Sequence, residues 1–268
     1  MKEIRCGNYT IIGGSRSTQG TYIQIKELGI IFDLGYCPHQ FTRIQKIFLS
    51  HCHIDHILGV YYHIAQRTLR KLPPSTIYLP APEQDAFEEV IQKMERLERS
   101  QWQKKIIPVK EGEKVRLNDV FFIRAFKVEH RIPSYGYTVF EHRRKLKAEY
   151  KDLPKADLIK LKKQGEEVTS IHEIPILSYT GDSTANAFSI DSVRRSNILI
   201  TECTFLTPEH YDLTIKNKHI HLEDILNANL QCEHLILMHF SLRYSKRQIA
   251  TIIKQKEKDL PGRVHFLL

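Results

Sequence analysis

Ser50-His51-Cys52-His53-Ile54-Asp55-His56 places four potential metal donors within six residues, directly after the short apolar run Lys46 to Leu49. That run reads as a buried strand, and Ile57 to Leu72 has the apolar spacing of a helix, so the donors sit on a strand-to-helix loop. His51 and His53, two apart on extended backbone, can converge on one ion. Asp55 and His56, on the first helical turn, point elsewhere and suit a second ion. Two cations held about 3.5–4 Å apart are a known device for phosphoryl and acyl hydrolysis. Cys52 lies between two donors, but alternation along extended backbone turns its side chain away, and it reads as structural.

A two-metal site needs further donors. His130 follows the apolar strand Val120 to Val128, and His239 follows Leu235-Ile236-Leu237-Met238. Asp182 sits in Tyr179-Thr180-Gly181-Asp182-Ser183, where glycine lets the chain turn at a strand end. Each alone has an ordinary explanation as a polar or turn residue. Together they supply three more donors at strand ends, where a rigid scaffold would collect them.

Around this cluster, the first half reads as strands with tight turns: Ile4 to Ile12, Thr21 to Lys26, Ile30 to Leu34, Thr76 to Leu79, Lys105 to Val109, Lys114 to Leu117, Val120 to Val128 and Tyr135 to Phe140. Pro82 opens a helix through about Glu98. The second half alternates strands (Ile174 to Tyr179, Ile198 to Thr201, Leu235 to Met238, Val264 to Leu268) with helices (Ser189 to Arg195, Leu222 to Leu230, Ser245 to Lys258). No internal repeat or low-complexity linker interrupts residues 1–268, so one domain is expected. Two β-rich halves, each with covering helices, suggest a layered α/β sandwich rather than a doubly wound parallel sheet.

The composition, 41% hydrophobic and 26% charged over 268 residues, excludes disorder, collagen-like repeats and a disulfide scaffold. No apolar run approaches the roughly 18 residues of a membrane span, and no signal-peptide pattern opens the chain. Five scattered cysteines without a Cys-x-x-Cys pair read as buried thiols in a reducing cytosol, so the expected location is cytoplasmic. The formal net charge is +9. From Arg143 to Lys163, nine basic residues (Arg143, Arg144, Lys145, Lys147, Lys151, Lys155, Lys160, Lys162, Lys163) face three acids (Glu149, Asp152, Asp157), a local balance of +6. Such a run is either a solvated helix face or a phosphate-binding arm, and charge alone does not choose.

The order His-x-His-x-Asp-His, then single His, Asp and His donors, resembles the metallo-β-lactamase fold over nearly the whole chain. Three stretches narrow the resemblance to ribonuclease Z. They are Glu129-His130-Arg131-Ile132-Pro133-Ser134-Tyr135-Gly136-Tyr137, Glu202-Cys203-Thr204-Phe205 (that family's Glu-Ala-Thr-Phe) and His239-Phe240-Ser241-Leu242-Arg243-Tyr244 (its His-x-Ser-x-Arg-Tyr). The segment beginning Phe140-Glu141-His142-Arg143-Arg144-Lys145-Leu146-Lys147 is similar to the short basic arm of Thermotoga-type tRNase Z.

The resemblance implies an α/β fold, a four-layer αβ/βα sandwich, with residues 141–170 inserted as a substrate-docking arm carrying Arg143, Arg144, Lys145 and Lys147. It implies one metal on His51, His53 and His130, another on Asp55, His56 and His239, and Asp182 bridging them. Zn2+ is the family's usual ion, with Mn2+ or Fe2+ compatible with the donors. A water acidified by both cations would attack a phosphodiester phosphorus, with Asp55 as general base. The proton for the leaving 3′ oxygen would come from a histidine paired with Glu202. Both His219 and His221 are candidates, and the family spacing favours His219. The implied activity is removal of the 3′ trailer of precursor tRNA by a homodimer.

The family's Gly-Thr-Gly turn and Arg-Asn pair are replaced by Ile12-Gly13-Gly14-Ser15-Arg16-Ser17-Thr18-Gln19-Gly20. The acidic-glycine run after the first-motif aspartate is replaced by Asp33-Leu34-Gly35-Tyr36-Cys37-Pro38-His39, where Asp33 reads as a structural carboxylate. These departures keep open a phosphodiesterase acting on another RNA or on a small molecule. A nucleic-acid-binding protein with a non-catalytic metal site is the reading from another class. Arg243, Tyr244 and Ser134 could serve either packing or substrate contact.

Overall fold

The computed structural model describes residues 1–268. Its first half runs β1 (Lys2–Cys6), β2 (Tyr9–Arg16), β3 (Gly20–Ile25), β4 (Ile30–Leu34), β5 (Lys46–Phe48), α1 (Ile54–Leu69), β6 (Ser75–Pro80), α2 (Gln84–Glu98) and β7 (Lys104–Val109). The second half runs β8 (Lys114–Arg116), β9 (Phe121–Val128), β10 (Ser134–Leu146), α3 (Lys155–Lys163), β11 (Thr169–Tyr179), α4 (Asp191–Arg194), β12 (Ile198–Glu202), α5 (Tyr211–Asn217), α6 (Leu222–Asn227), β13 (His234–Met238), α7 (Lys246–Lys256) and β14 (Arg263–Phe266). The strands form two seven-stranded sheets, in order β1 to β7 and β14 to β8. Each begins as an antiparallel meander of four strands and continues with parallel strands.

The apolar runs of the sequence are explained by burial on both faces of the sheets. In β4, Ile30 and Phe32 enter the core between the sheets, while Ile31 and Leu34 pack outward with Ile57, Val60 and Ile64 of α1. In β13, Ile236 and Met238 face the same inter-sheet core, and Leu235 and Leu237 pack outward with Ile225, Ile249 and Ile253. The layers are therefore helix, sheet, sheet, helix, as the sandwich reading expects.

Three local expectations are revised. Ile4 to Ile12 is a hairpin rather than one strand. Cys6 pairs with Tyr9 across a turn at Gly7, whose φ is +55°, and the alternation simply resumes after it. Helix α5 carries no apolar stripe, because only Thr214 of it is buried and Ile215 is exposed, so periodicity gave no signal. Strand β10 continues past Phe140 to Leu146 and pairs with β11 from Tyr137–Tyr179 out to Leu146–Thr169. The basic run is therefore mixed: Arg143, Arg144 and Lys145 lie on a protruding ribbon, Lys147 just beyond it, and Lys155, Lys160, Lys162 and Lys163 on α3, none of whose residues is buried.

The start of α1 is pressed against the loop after β4. A Cβ on Gly35 would lie 1.8 Å from the Asp55 carbonyl oxygen and 3.1 Å from the His56 backbone nitrogen. Gly35→Ala must shift backbone rather than a side chain. Expected is a loss of about 1–3 kcal/mol, seen in thermal denaturation, with weakened metal retention because Asp55 and His56 move.

Candidate metal centre

The loops after β5, β9, β11 and β13 meet at one end of the sandwich. They bring His51, His53, His130 and Asp182 into one group whose donor atoms lie within 4.8 Å of each other, and Asp55, His56 and His239 into a second. Within the first group, His51 Nε2 is 3.0 Å and His130 Nε2 is 3.3 Å from His53 Nδ1. Within the second, Asp55 Oδ2 lies 3.5 Å from His239 Nε2 and 3.8 Å from His56 Nε2. Asp182 Oδ2 stands between the groups, 3.9 Å from His51 Nε2, 3.5 Å from His56 Nε2 and 3.2 Å from His239 Nε2. Nitrogen ligands on a tetrahedral zinc, with bonds of about 2.0–2.1 Å, sit about 3.3 Å apart, so these separations suit cations.

The donor nitrogens are aimed by their neighbours. His56 Nδ1 donates to Asp33 Oδ2 at 2.7 Å, and His130 Nδ1 donates to the Lys218 carbonyl at 3.0 Å. His51 Nδ1 donates to Ser50 Oγ, which itself donates to Asp33 Oδ2. His239 Nδ1 donates to Thr204 Oγ1, which donates to Glu202 Oε2. In all four rings Nε2 is left facing the centre. His56 Nε2, His239 Nε2 and Asp182 Oδ1 are buried without any hydrogen-bond partner. Orphaned buried donors and acceptors are costly, and cations would satisfy all three. The residues therefore fit a metal.

Electrostatics agree for most of the set. Burial, reinforced by the neighbouring histidines, pushes His51 well below its ordinary pKa and lowers His53, and burial lowers His130, leaving the neutral form that ligation requires. Burial opposes ionisation of Asp55, but the close approach of His239 Nε2 at 3.5 Å and the charges of His56 and His239 hold it down at about 2. His56 runs the other way: burial works against its charge, but Asp182 and Asp33 raise it, so a cation must displace its proton.

Glu202 is fully buried and accepts from the Ser183 and Ile220 amides. His219 Nδ1 lies 3.0 Å from Glu202 Oε1, with its ring 5.2 Å from that of His130 and 5.4 Å from that of His239. Burial disfavours its charge, yet the Glu202 carboxylate raises it to about 9. His221 is committed elsewhere: its Nδ1 accepts from the Glu223 amide at the start of α6 and its Nε2 donates to the Thr207 carbonyl. Of the two candidates, the fold brings only His219 to the centre.

Other residues fall outside it. Arg143, Arg144 and Lys145 lie on the β10–β11 ribbon with Lys147 just beyond it, and from Ser134 to Arg144 the strand covers about 34 Å at 3.4 Å per residue, so they are remote from the donors of their own chain. Tyr244 is buried, its hydroxyl held by the Leu206 amide and His210, and Ser134 bonds the Ile132 carbonyl. Cys52 packs at the edge of the core under α1, and burial pushes its thiol up to about 12. Sequence reading passed over Thr204, the Lys218 carbonyl and the Thr18 amide, which donates to Asp55 Oδ2 at 2.9 Å. Backbone groups leave no trace in residue identity. Thr204 was visible only as part of a motif.

No family model matches the chain. It is 32% identical to tRNase Z TRZ1 of Arabidopsis thaliana over 276 residues, covering 99% of this chain and 97% of that one. The chain belongs to the tRNase Z family. Among solved structures, human tRNase Z, short form, superposes with a TM-score of 0.63 at 17% identity, covering 96% of this chain and 95% of the other. The metallo-β-lactamase fold protein YhfI of Bacillus subtilis superposes with a TM-score of 0.65 at 16% identity, covering 96% and 95%. The fold of this tRNase Z family member is thus the metallo-β-lactamase αβ/βα sandwich.

Asp33 holds His56 and, through Ser50, His51. Asp33→Asn replaces one acceptor oxygen by a donor facing groups that already donate. Metal affinity is expected to fall about 10–100-fold, measured by chelator competition, with the fold retained by circular dichroism.

Proposed function

We propose that the protein is a metal-dependent endoribonuclease that removes the 3′ trailer of precursor tRNA, working with two Zn2+ ions, or Mn2+ or Fe2+ in their place. The observation that carries this reading is the His219–Glu202 pair standing beside the seven-residue donor set, in a chain related to tRNase Z over its whole length. Residues His51, His53 and His130 would hold one cation and Asp55, His56 and His239 the other, with Asp182 shared. Cations bound there supply Lewis acidity toward the phosphodiester and acidify water.

The chain's own groups account for the remaining chemistry. Asp55, fixed by the Thr18 amide and kept ionised, is placed to accept a proton as general base. His219 keeps Nδ1 on Glu202, so Nε2 is the atom that can carry a proton to the leaving 3′ oxygen. Glu202 has no freedom to turn away, because its oxygens are occupied by the Ser183 and Ile220 amides and Thr204.

The exposed ribbon with Arg144 and Lys145, and half-buried Lys147 just beyond it, suit the backbone of an RNA long enough to run from the arm to the metals. A homodimer is supported by α1, where Ile54, Leu58, Tyr62 and Leu69 form an exposed apolar stripe at helical spacing. Leu58→Glu should shift the protein to monomer in light scattering; an unchanged mass would remove this face from the interface. The free cysteines fit a cytoplasmic location, and no helix is long and apolar enough to cross a membrane.

The decisive experiment compares two substrates. Arg144→Glu, Lys145→Glu and Lys147→Glu together should raise KM for precursor tRNA at least tenfold while leaving hydrolysis of bis(p-nitrophenyl) phosphate intact. Equal loss of both would count against an RNA-docking arm, and failure of the wild type to cut precursor tRNA would favour another phosphodiester. For the proton donor, His219→Ala should slow tRNA cleavage about 10²–10⁴-fold without changing metal content. A general acid works below its own pKa, so activity should be lost as pH rises through about 9. Glu202→Gln removes the charge that raises His219, and should move that alkaline limb to lower pH.

A further inference from the structure

A second set of donors meets at the opposite end of the sandwich. Cys6 ends β1, His234 opens β13 and His265 lies in β14, and their donor atoms all fall within 4.8 Å of one another. β1 is an edge strand of one sheet, while β13 and β14 are at the edge of the other, so the cluster spans the gap between the sheets. His239, at the catalytic end, follows the C-terminus of β13. Five residues at about 3.3 Å each separate the two ends by about 16 Å.

The two imidazoles have the spacing of ligands around a single ion. His234 Nδ1 and His265 Nε2 are 3.3 Å apart, close to the separation of about 3.3 Å imposed by zinc–nitrogen bonds of 2.0–2.1 Å in a tetrahedron. A hydrogen bond between the two imidazoles would explain that pair. Cys6 packs in the apolar core between the sheets, and its Sγ falls within the same donor group as the two rings. Cys6 is 1% exposed. Cys6 and His234 line a pocket of about 360 Å³ whose wall includes Asn8, Tyr9, Asn197 and Glu233, which leaves a way in and room for a fourth ligand.

We propose that Cys6, His234 and His265 form a binding site for a borderline, thiophilic divalent cation of the zinc class, clipping the two sheets together at the base of the arm. One thiolate and two imidazoles are a donor set that selects such ions over magnesium or calcium. Burial, His234, Lys2 and Arg263 lower the pKa of His265, which favours its neutral, ligating form. Burial pushes the Cys6 thiol up to about 11, so the ion must displace its proton: the S–H bond breaks, a sulfur–metal bond forms, and one H+ is released to solvent. The same pocket touches Glu141 and Arg143, where the arm leaves the sheet, so the clip would brace the arm's root.

Cobalt substitution separates this site from the catalytic one, whose donors are imidazole and carboxylate. Titrating the full-length, metal-stripped protein with Co2+ should produce a near-ultraviolet thiolate-to-cobalt charge-transfer band that saturates at one thiolate per chain. Cys6→Ser should abolish it, His265→Gln should weaken Co2+ affinity at that band at least tenfold, and Cys52→Ser should leave it unchanged. Absence of the band at saturating Co2+, its survival in Cys6→Ser, full affinity in His265→Gln, or its loss in Cys52→Ser would overturn the assignment. The readout is independent of nuclease activity, so it stands or falls separately from the substrate proposed above.

Discussion

The carboxylate of Asp33 is the constraint on which the centre depends. It is fully buried, and it accepts from the Ser50 amide at 2.6 Å, the Ser50 hydroxyl at 2.6 Å, His56 Nδ1 at 2.7 Å and the Tyr179 hydroxyl. Those donors come from the loop that carries His51 and His53, from α1, and from β11 of the opposite sheet. One side chain thus ties both sheets and the first helical turn to a common point. An unpaired carboxylate in that position would be heavily penalised, so the four donors are held as firmly as the charge is buried.

Glu202 plays the corresponding part in the second half. It binds the Ser183 amide beside Asp182, Thr204 beneath His239, and His219. Each half of the sandwich therefore contributes one buried carboxylate that organises the donor residues of the centre without belonging to the donor set itself. Pre-set orientation of this kind lets catalytic groups act without reorganising during reaction.

The division of labour across the molecule follows from strand direction. Parallel strands β4 to β7 and β11 to β14 end at the metal centre, and the same ladder carries the β10–β11 ribbon away from it in the other direction. The basic ribbon and the metal centre are thereby separated by about the length of a strand. The Cys6–His234–His265 cluster lies at the ribbon's end of that axis, between the two sheets.

Residues with a strong local signature were legible from the sequence alone. His51, His53, Asp55 and His56 stand in one motif, and the buried runs of β4, β5 and β13 announce both the sheets and the positions of the donors after them, because hydrophobic burial writes itself into residue order. Asp33 was legible as a structural carboxylate, though not its three partners Ser50, His56 and Tyr179. What required the tertiary structure were choices between equivalent residues and contacts distant in the chain. His219 and His221 differ only in which one meets Glu202, and Cys6 and His265 are 259 positions apart and meet only through packing of two sheets. The basic run likewise divided into ribbon and helix once β11 was available to pair with it. Sequence determines which chemistry a side chain can perform; the long-range closure of the sheets decides which side chains are near enough to perform it together.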